Sequence, residues 1–222
     1  MKGAIVFDLD GTLIDSAPDI HVALNKTLAD EGAPAVTLAQ TIGFIGHGIP
    51  NLVRQAREAL AIDPARQEPM TAAMFAHYLA APSVLTRPYE GVVDCLDALT
   101  AAGHPLGLCT NKALEPTLEI LDALDLRRFF GAVIGGDSLP QKKPDPAPLK
   151  ATFAQIGAPL LYVGDSEVDA ATARAAGVPF ALFTEGYRKT AVGELCHSFA
   201  FDRFRDLAGR LAELAVPVSP RV

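Results

Sequence analysis

Residues 4–12 read AIVFDLDGT, an apolar run followed by two aspartates that a single leucine separates. A short run that is apolar throughout is typical of a strand buried on both faces of a parallel sheet. Because side chains alternate along an extended chain, Asp8 and Asp10 point to the same side of the strand end. Two carboxylates this close repel each other unless one keeps its proton or a cation lies near them. A helix N-cap or an Asx-turn accounts for one aspartate and leaves the second unexplained.

Further apolar runs repeat this pattern along the chain: PLGLC near residue 107, AVIGG near 133, LLYVG near 162 and FALF near 181. Segments with apolar residues three and four apart separate the runs, which predicts helices between strands. In one of them, GVVDCLDALTAAG, Gly103 stands where a helix C-terminus favours glycine. The alternation predicts an α/β fold with a doubly wound parallel sheet, whose ligands bind beyond the carboxyl ends of the strands.

One stretch breaks the alternation. Between residues 15 and 87, helical patterns such as DIHVALNKTLADEG, NLVRQAREALAI and TAAMFAHYLAA follow one another without a convincing strand. A segment of this length is too long for an ordinary crossover loop. We therefore predict a core of residues 1–14 and 88–222, with residues 15–87 inserted as a helical cap domain after the first strand. A single irregular domain is the alternative.

Composition excludes several classes of protein. The 26 acidic and 19 basic residues give a formal charge of −7 and no long basic run, so we expect no nucleic-acid partner. The three cysteines form no CxxC pair and argue against a disulfide framework, which favours the cytoplasm. No stretch reaches the ~18 apolar residues of a membrane span. We expect no membrane partner, and a monomer or a homodimer.

Two other predicted strand ends carry residues that could bind an anion. In GLCTNK, the hydroxyl of Thr110 and the backbone N–H of Asn111 stand ahead of a helix, although ordinary N-capping by either residue is the alternative. In LPQKKPDPAPL, prolines hold Lys142 and Lys143 in an extended backbone from which a lysine could direct its charge at a phosphate. A solvated basic turn is the alternative there.

A fourth strand end, in LLYVGDSEVDAATARAAG, places Asp165 and Asp169 four residues apart. Acidic residues in a first helical turn are stabilised by the helix dipole, which is the structural alternative. Carboxylates in this arrangement are also the hard oxygen ligands that Mg²⁺ prefers. If the four strand ends adjoin, the acidic residues and a cation would meet in one site.

Read in order, DLDGT, a strand-end threonine, a lysine before proline and GDSEVD resemble the four motifs of the haloacid dehalogenase superfamily, and the helical insertion resembles its cap domain. IGFIGHGIPNLVRQA and KKPDPAPL resemble the phosphoglycolate phosphatases within it. Dehalogenases of the superfamily lack the second aspartate, so Asp10 favours phosphoryl chemistry. The resemblance implies a Mg²⁺-dependent phosphatase of a small phosphorylated, anionic metabolite, with 2-phosphoglycolate as the first candidate.

The resemblance also implies roles for the acidic residues. Asp8 would attack phosphorus and form an aspartyl-phosphate, which splits hydrolysis into two easier steps. Asp10 would protonate the leaving alkoxide and then help to deprotonate the attacking water. Mg²⁺ would bind Asp8, the backbone carbonyl of Asp10 and Asp165, with Asp169 in or just behind the first ligand shell.

Phosphate binding would fall to the two anion-binding segments. Thr110, the Asn111 backbone N–H and Lys143 would hold the phosphoryl oxygens and offset the charge that develops during transfer. Either lysine of the pair could serve, and Lys143 is preferred to Lys142 because it directly precedes Pro144.

The cap would read the leaving group. Gly46, His47 and Gly48 precede a helical segment that carries Arg54, so backbone N–H groups, the imidazole or the guanidinium could meet a substrate carboxylate. Hinge glycines and a solvated arginine are the alternative.

Other functions fit parts of the pattern. A phosphosugar phosphatase or a β-phosphoglucomutase-like phosphotransferase would share the same core, because the core does not decide what the cap selects. An aspartate-phosphoacceptor signalling module also combines clustered aspartates, a threonine and a lysine. That module needs no helical insertion and carries its acceptor on a middle strand.

Overall fold

The computed structural model describes residues 2–80 and 84–214 of the chain. Six parallel strands form one sheet in the order β5-β4-β1-β6-β7-β8, and two short strands form an antiparallel pair. In chain order the strands are β1 (Ala4–Phe7), β2 (Ile14–Asp15), β3 (Arg87–Pro88), β4 (Leu106–Cys109), β5 (Phe130–Ile134), β6 (Pro159–Gly164), β7 (Phe180–Phe183) and β8 (Phe199–Phe201).

Helices cover the sheet and form the insertion. Between β2 and β3 lie α1 (Ala17–Asp30), α2 (Leu38–Phe44), α3 (Ile49–Ala59) and α4 (Gln67–Leu79). After β3 come α5 (Val92–Ala101), α6 (Leu114–Ala123), α7 (Ala147–Ile156), α8 (Glu167–Ala176) and α9 (Phe204–Leu214). Within the described part of the chain, no helix is long and apolar enough to cross a membrane.

The first strand divides the core into two apolar layers. Ile5 and Phe7 are fully buried in the cluster that includes residues of α5 and α9, whereas Ala4 and Val6 are fully buried in the cluster that includes residues of α7 and α8. A strand flanked by strands and covered on both faces cannot expose any side chain, which is why its four residues are all apolar. The predicted doubly wound parallel sheet is confirmed.

The predicted apolar runs correspond to β1, β4, β5, β6 and β7. The edge strand β8 escaped the sequence analysis because it is three residues long and only partly buried. Gly103 follows the C-terminus of α5. It has a φ of +82° and its N–H donates to the Thr100 carbonyl, as is typical of a glycine at a helix C-terminus.

The short pair β2–β3 brings together the two ends of the segment that contains α1 to α4. Ile14 pairs with Pro88, and Asp15 pairs with Arg87. Helices α1 and α4 contact each other beyond this pair and bury apolar side chains that include Leu28 and Met74. The division of the chain into a core and a cap at residues 15 and 87 stays a prediction.

Asp19 fastens the start of α1 to the returning chain. Its buried carboxylate accepts hydrogen bonds from the backbone N–H groups of Leu85 and Thr86 and, at 2.6 Å, from the Thr86 hydroxyl. All these partners are donors, so only an acceptor satisfies them. The segment that carries the chain back from the insertion therefore depends on this carboxylate.

We expect Asp19→Ala to lower the free energy of unfolding by about 1–3 kcal/mol, because the N–H groups of Leu85 and Thr86 would lose their acceptor. Urea unfolding followed by circular dichroism measures the change. Glu119→Ala, which removes an exposed acid from within α6, is the control and should match the wild type. Equal stability of Asp19→Ala and the wild type would contradict the assignment.

Candidate active site

A cavity lies beyond the carboxyl ends of β1, β4 and β6, where the strand order reverses around β1. Most of the residues predicted from the sequence line it: Asp8, Asp10, Gly46, His47, Thr110, Asn111, Lys143 and Asp165. Asp169 lies just behind this lining and contacts Lys143, whereas Gly48 and Arg54 lie elsewhere. The four motifs thus meet at one edge of the sheet.

Lys143 joins the acidic residues of two motifs. Its Nζ lies 2.9 Å from Asp8 Oδ1 and 2.7 Å from Asp169 Oδ1, and it donates to the Tyr162 hydroxyl at 2.9 Å. Burial lowers the pKa of Lys143, but the carboxylates of Asp169 and Asp8 outweigh burial and raise it, so the ammonium stays charged. Lys142 is exposed, and the structure therefore brings Lys143 to the site.

Asp165 lies close to the two carboxylates that pair with Lys143. Asp8, Asp165 and Asp169 are buried and each offers an oxygen within 4.8 Å of the others. Burial raises the pKa of Asp8 to about 6; the Lys143 ammonium opposes this rise and the Asp169 charge adds to it. Burial also raises the pKa of Asp165 well above its usual range, with Asp169 and Asp8 adding to the rise.

Asp169 behaves differently because its oxygens are fully engaged. Oδ1 accepts from Lys143 and from the Tyr162 hydroxyl, and Oδ2 accepts from the hydroxyl and N–H of Ser166. Burial would raise its pKa, but the Lys143 ammonium and these hydrogen bonds lower it below the usual range. Asp169 therefore stays ionised and holds Lys143 in place.

The donor set fits a divalent cation. Asp8 Oδ1 is buried and pairs with the Lys143 ammonium at 2.9 Å. Lys143 pairs with Asp8 and Asp169, whereas Asp165 has no ion pair among the described residues, so the cluster holds more carboxylates than ammonium groups. Hard oxygen ligands at such spacing suit Mg²⁺. Because Asp169 is saturated with hydrogen bonds, Asp8 and Asp165 have the freer oxygens.

Asp10 has a lysine of its own. Its carboxylate accepts from the Ser16 hydroxyl at 2.6 Å and from Lys112 Nζ at 3.1 and 3.3 Å. The two aspartates of AIVFDLDGT are therefore each paired with a separate buried ammonium, which relieves their repulsion. The sequence analysis gave Lys112 no role, although it stands inside GLCTNK directly after Asn111.

The loop after β4 does not cap the following helix. Helix α6 has Ala113 as its N-cap residue, and the N–H of Leu114 donates to Asp137 Oδ1 at 2.8 Å. The N-capping alternative for Thr110 and Asn111 is therefore wrong. Both residues are buried against the cavity instead.

Asn111 ties this loop to two others through its side chain. The amide donates to the carbonyls of Gly46 and Lys143, both at 3.0 Å, and its oxygen accepts from the Lys143 N–H at 2.9 Å. Sequence analysis considered only the backbone N–H of Asn111. One amide therefore connects the loop before α3 with the segment that positions Lys143.

The four residues between β2 and β3 that were predicted to contact the substrate lie in three different places. Gly46 and the exposed His47 lie at the cavity, and burial, followed by the charge of Lys189, lowers the pKa of His47. Gly48 precedes α3 and lines a neighbouring recess. Arg54 is 47% exposed on α3, pairs with Glu58 at 2.8 Å and is not among the residues that line the cavity.

Two residues to which the sequence analysis gave no role hold Asp165. The Thr12 hydroxyl donates to Oδ1 at 2.7 Å, and the Tyr187 N–H donates to Oδ2 at 2.6 Å. The Tyr187 hydroxyl accepts from the N–H groups of Ser16 and Ala17 at the start of α1. Tyr187 follows β7 and lies far from the other motifs in sequence, so no local spacing could identify it.

Gly11 permits the close approach of these parts. Its φ is +82°, in the left-handed region that favours glycine, and a Cβ there would lie 2.6 Å from Asp165 Oδ2. Any side chain at this position would displace a carboxylate of the cluster.

The fold and the site define a class of α/β protein with an acidic cluster at the carboxyl ends of parallel strands, and comparison with known proteins identifies this class. Residues 5–183 match the family model for haloacid dehalogenase-like hydrolases. A phosphoglycolate phosphatase from Cereibacter sphaeroides is 52% identical over 213 residues, which cover 95% of this chain and 98% of that protein. A phosphoglycolate phosphatase from Rhodobacter capsulatus is 40% identical, and the matched residues cover 94% of this chain and 96% of that protein.

Solved structures give the same result. A predicted phosphoglycolate phosphatase from Haemophilus somnus has a TM-score of 0.89 and 29% identity, with coverage of 93% of this chain and 96% of that one. The chain belongs to the haloacid dehalogenase-like hydrolases, as the resemblance of its four motifs implied.

We expect Asn111→Ala to accelerate hydrogen exchange of the Lys143 amide, because that N–H loses its acceptor. Asn111→Asp is the matched control: it keeps an acceptor for the Lys143 N–H but loses the donor to the carbonyls of Gly46 and Lys143. Amide exchange measured by NMR should therefore show protection at Lys143 in the wild type and in Asn111→Asp. Unchanged protection in Asn111→Ala would contradict the role of this side chain.

Proposed function

We propose that the protein is a Mg²⁺-dependent phosphomonoesterase that converts 2-phosphoglycolate to glycolate and phosphate. The observation that carries the proposal is the buried carboxylate of Asp8, which pairs with the Lys143 ammonium at 2.9 Å in a cavity that Asp10 also lines. The names of relatives that are 40–52% identical over nearly the whole chain support the substrate.

Asp8 is the proposed nucleophile. Its carboxylate would attack phosphorus and form an aspartyl-phosphate as the alkoxide leaves. Thr110, the Asn111 backbone N–H and Lys143 line the same cavity and would hold the phosphoryl oxygens. Fixed donors and charges of this kind stabilise the negative charge of the transition state without reorganisation.

Asp10 is the proposed proton carrier. It would give a proton to the leaving alkoxide and then take one from the water that attacks the aspartyl-phosphate. Ser16 and Lys112 fix its carboxylate at the cavity wall, so its position does not depend on the substrate. A carboxylate that is already oriented toward the leaving-group oxygen lowers the entropic cost of proton transfer.

Mg²⁺ would be held by Asp8, the Asp10 carbonyl and Asp165, with Asp169 in or behind the first shell. When bound, the cation supplies positive charge that reduces the repulsion between an anionic nucleophile and an anionic phosphate ester. The hydrogen bonds from Thr12 and Tyr187 would orient the Asp165 carboxylate toward it.

The proposal includes a cytoplasmic location. Cys95 and Cys109 are buried free thiols and Cys196 is an exposed one, which suits a reducing compartment. Burial raises the pKa of Cys109 to about 12, so this thiol next to Thr110 is not a nucleophile at neutral pH.

A substrate panel tests the proposal directly. We expect kcat/KM for 2-phosphoglycolate to exceed that for 3-phosphoglycerate, glycerol phosphates and hexose phosphates by ~10²-fold or more, because discrimination is a difference in transition-state binding. Phosphate release in the presence of Mg²⁺ is the measurement. A preference for a hexose phosphate would favour a phosphosugar phosphatase instead, and no turnover of any ester would contradict a phosphatase.

Variants of the paired aspartates should differ in severity. Asp8→Asn removes the nucleophile, so we expect no phosphate release above background. Asp10→Asn removes positioned proton transfer, which is typically worth ~10²–10⁴-fold in rate. Steady-state phosphate release measures both, with Asp137→Asn as a control that changes an acid outside the cavity. Near wild-type rates in Asp8→Asn would rule out the mechanism.

Mg²⁺ should stabilise the folded protein, because a ligand that binds only the native state shifts unfolding by RT ln(1 + [L]/Kd), or about 2.7 kcal/mol at a hundredfold excess over Kd. We expect a rise in Tm on adding Mg²⁺ to the wild type and a much smaller rise in Asp165→Asn. Glu167→Gln, which alters an acid at the cavity but outside the cluster, should respond like the wild type. Equal Mg²⁺ responses in all three proteins would argue against the assigned ligands.

A further inference from the structure

A second recess opens between the core and the inserted helices. It shares Asp10, Ile45 and Lys112 with the cavity that contains Asp8 and Lys143, so the two spaces meet at Asp10. Its other walls are apolar except for the hydroxyl of Tyr78 on α4. They comprise Ile20, Gly48, Ile49, Leu52 and Tyr78.

Lys112 brings a buried positive charge to this recess. Its side chain is 6% exposed, and its Nζ lies 3.1 Å from Asp10 Oδ1 and 4.5 Å from the centre of the Tyr78 ring. Burial would lower its pKa, but Asp10 and Tyr78 outweigh burial and raise it, so the ammonium persists. An ammonium has three N–H donors. Asp10 is its hydrogen-bond acceptor among the described residues, which leaves capacity for an anion.

Tyr78 adds a buried hydroxyl that has no acceptor. The residue is 1% exposed, and its hydroxyl, which belongs to the ring beside Lys112, donates to no described residue. Burial raises the pKa of Tyr78, so the group remains a neutral phenol that can donate. A buried O–H without an acceptor costs free energy in the absence of ligand. Lys112 and Tyr78 therefore both offer donors to the recess.

We propose that Lys112 and Tyr78 bind the carboxylate of the leaving group and thereby select the substrate. This inference rests on the proposed phosphatase function. If the phosphoryl group lies by Asp8 and Lys143, the bridging oxygen must lie by Asp10, which would give it a proton. The rest of the ester then extends past Asp10 into the recess, where the apolar walls exclude water and strengthen the attraction to an ammonium.

Lys112 and Tyr78 differ from the residues that the sequence pattern suggested for carboxylate recognition. The sequence analysis considered His47 and Arg54 for this role. Arg54 instead pairs with Glu58 on the outer side of α3, and His47 is an exposed imidazole at the other cavity. Lys112 comes from the core and Tyr78 from the insertion, so recognition of the carboxylate would require both parts of the protein to be in contact.

The test compares two esters of similar size, with Mg²⁺ present: 2-phosphoglycolate, and 2-hydroxyethyl phosphate, which replaces the carboxylate by a neutral group. The readout is the ratio of the two kcat/KM values. We expect this ratio to fall about 10-fold in Tyr78→Phe, which loses one hydrogen bond to a charged group, and about 100-fold in Lys112→Met. Lys112 also contacts Asp10, so its loss lowers both rates, but only carboxylate binding changes the ratio.

Lys26→Met is the matched control, because it removes one positive charge from an exposed position on α1. Its ratio should equal that of the wild type. Wild-type ratios in both Tyr78→Phe and Lys112→Met would overturn the inference and leave the phosphatase intact, as would a wild type that hydrolyses both esters equally well. Hydrolysis of neither ester by the wild type would instead overturn the proposed function, and this inference with it.

Discussion

The ion pairs of Lys143 with Asp8 and Asp169 are the interactions on which the rest of the site depends. Buried carboxylates are costly unless they are paired, and removing one partner leaves an uncompensated charge in a low-dielectric interior. Asn111 fixes the segment that carries Lys143 and also contacts Gly46. The position of Lys143 at the acidic cluster therefore depends on Asn111 in the loop after β4, and the same side chain holds the loop before α3 through Gly46.

Two separate ammonium groups allow two neighbouring aspartates to differ. Asp8 shares Lys143 with Asp169 in a crowded acidic cluster, whereas Asp10 is held by Lys112 and the Ser16 hydroxyl. The first environment leaves a carboxylate oxygen available for bonding, and the second fixes a carboxylate in position. Different surroundings for identical side chains are how a pair of acids acquires different chemistry.

Sequence reasoning identified the sheet and the four strand ends because their signals are local: buried runs, a spacing of two residues and a lysine before proline. It missed β8, which is short and lies at the edge of the sheet. It also missed Lys112, which lies 102 residues from Asp10, and Tyr187, which lies 22 residues from Asp165, because packing between separate segments brings each to its partner. Arg54 is the opposite case: its place after Gly46-His47-Gly48 suggested substrate binding, but in the structure its guanidinium pairs with Glu58.

The central claim is that Asp8 carries the phosphoryl group during turnover. The most direct test is to quench the enzyme with acid during hydrolysis of 2-phosphoglycolate, reduce it with borohydride and map the modified residue by mass spectrometry. An aspartyl-phosphate is reduced to homoserine, so the account predicts homoserine at position 8 and unmodified aspartate at position 10. Homoserine at another aspartate, or none during demonstrable turnover, would contradict it.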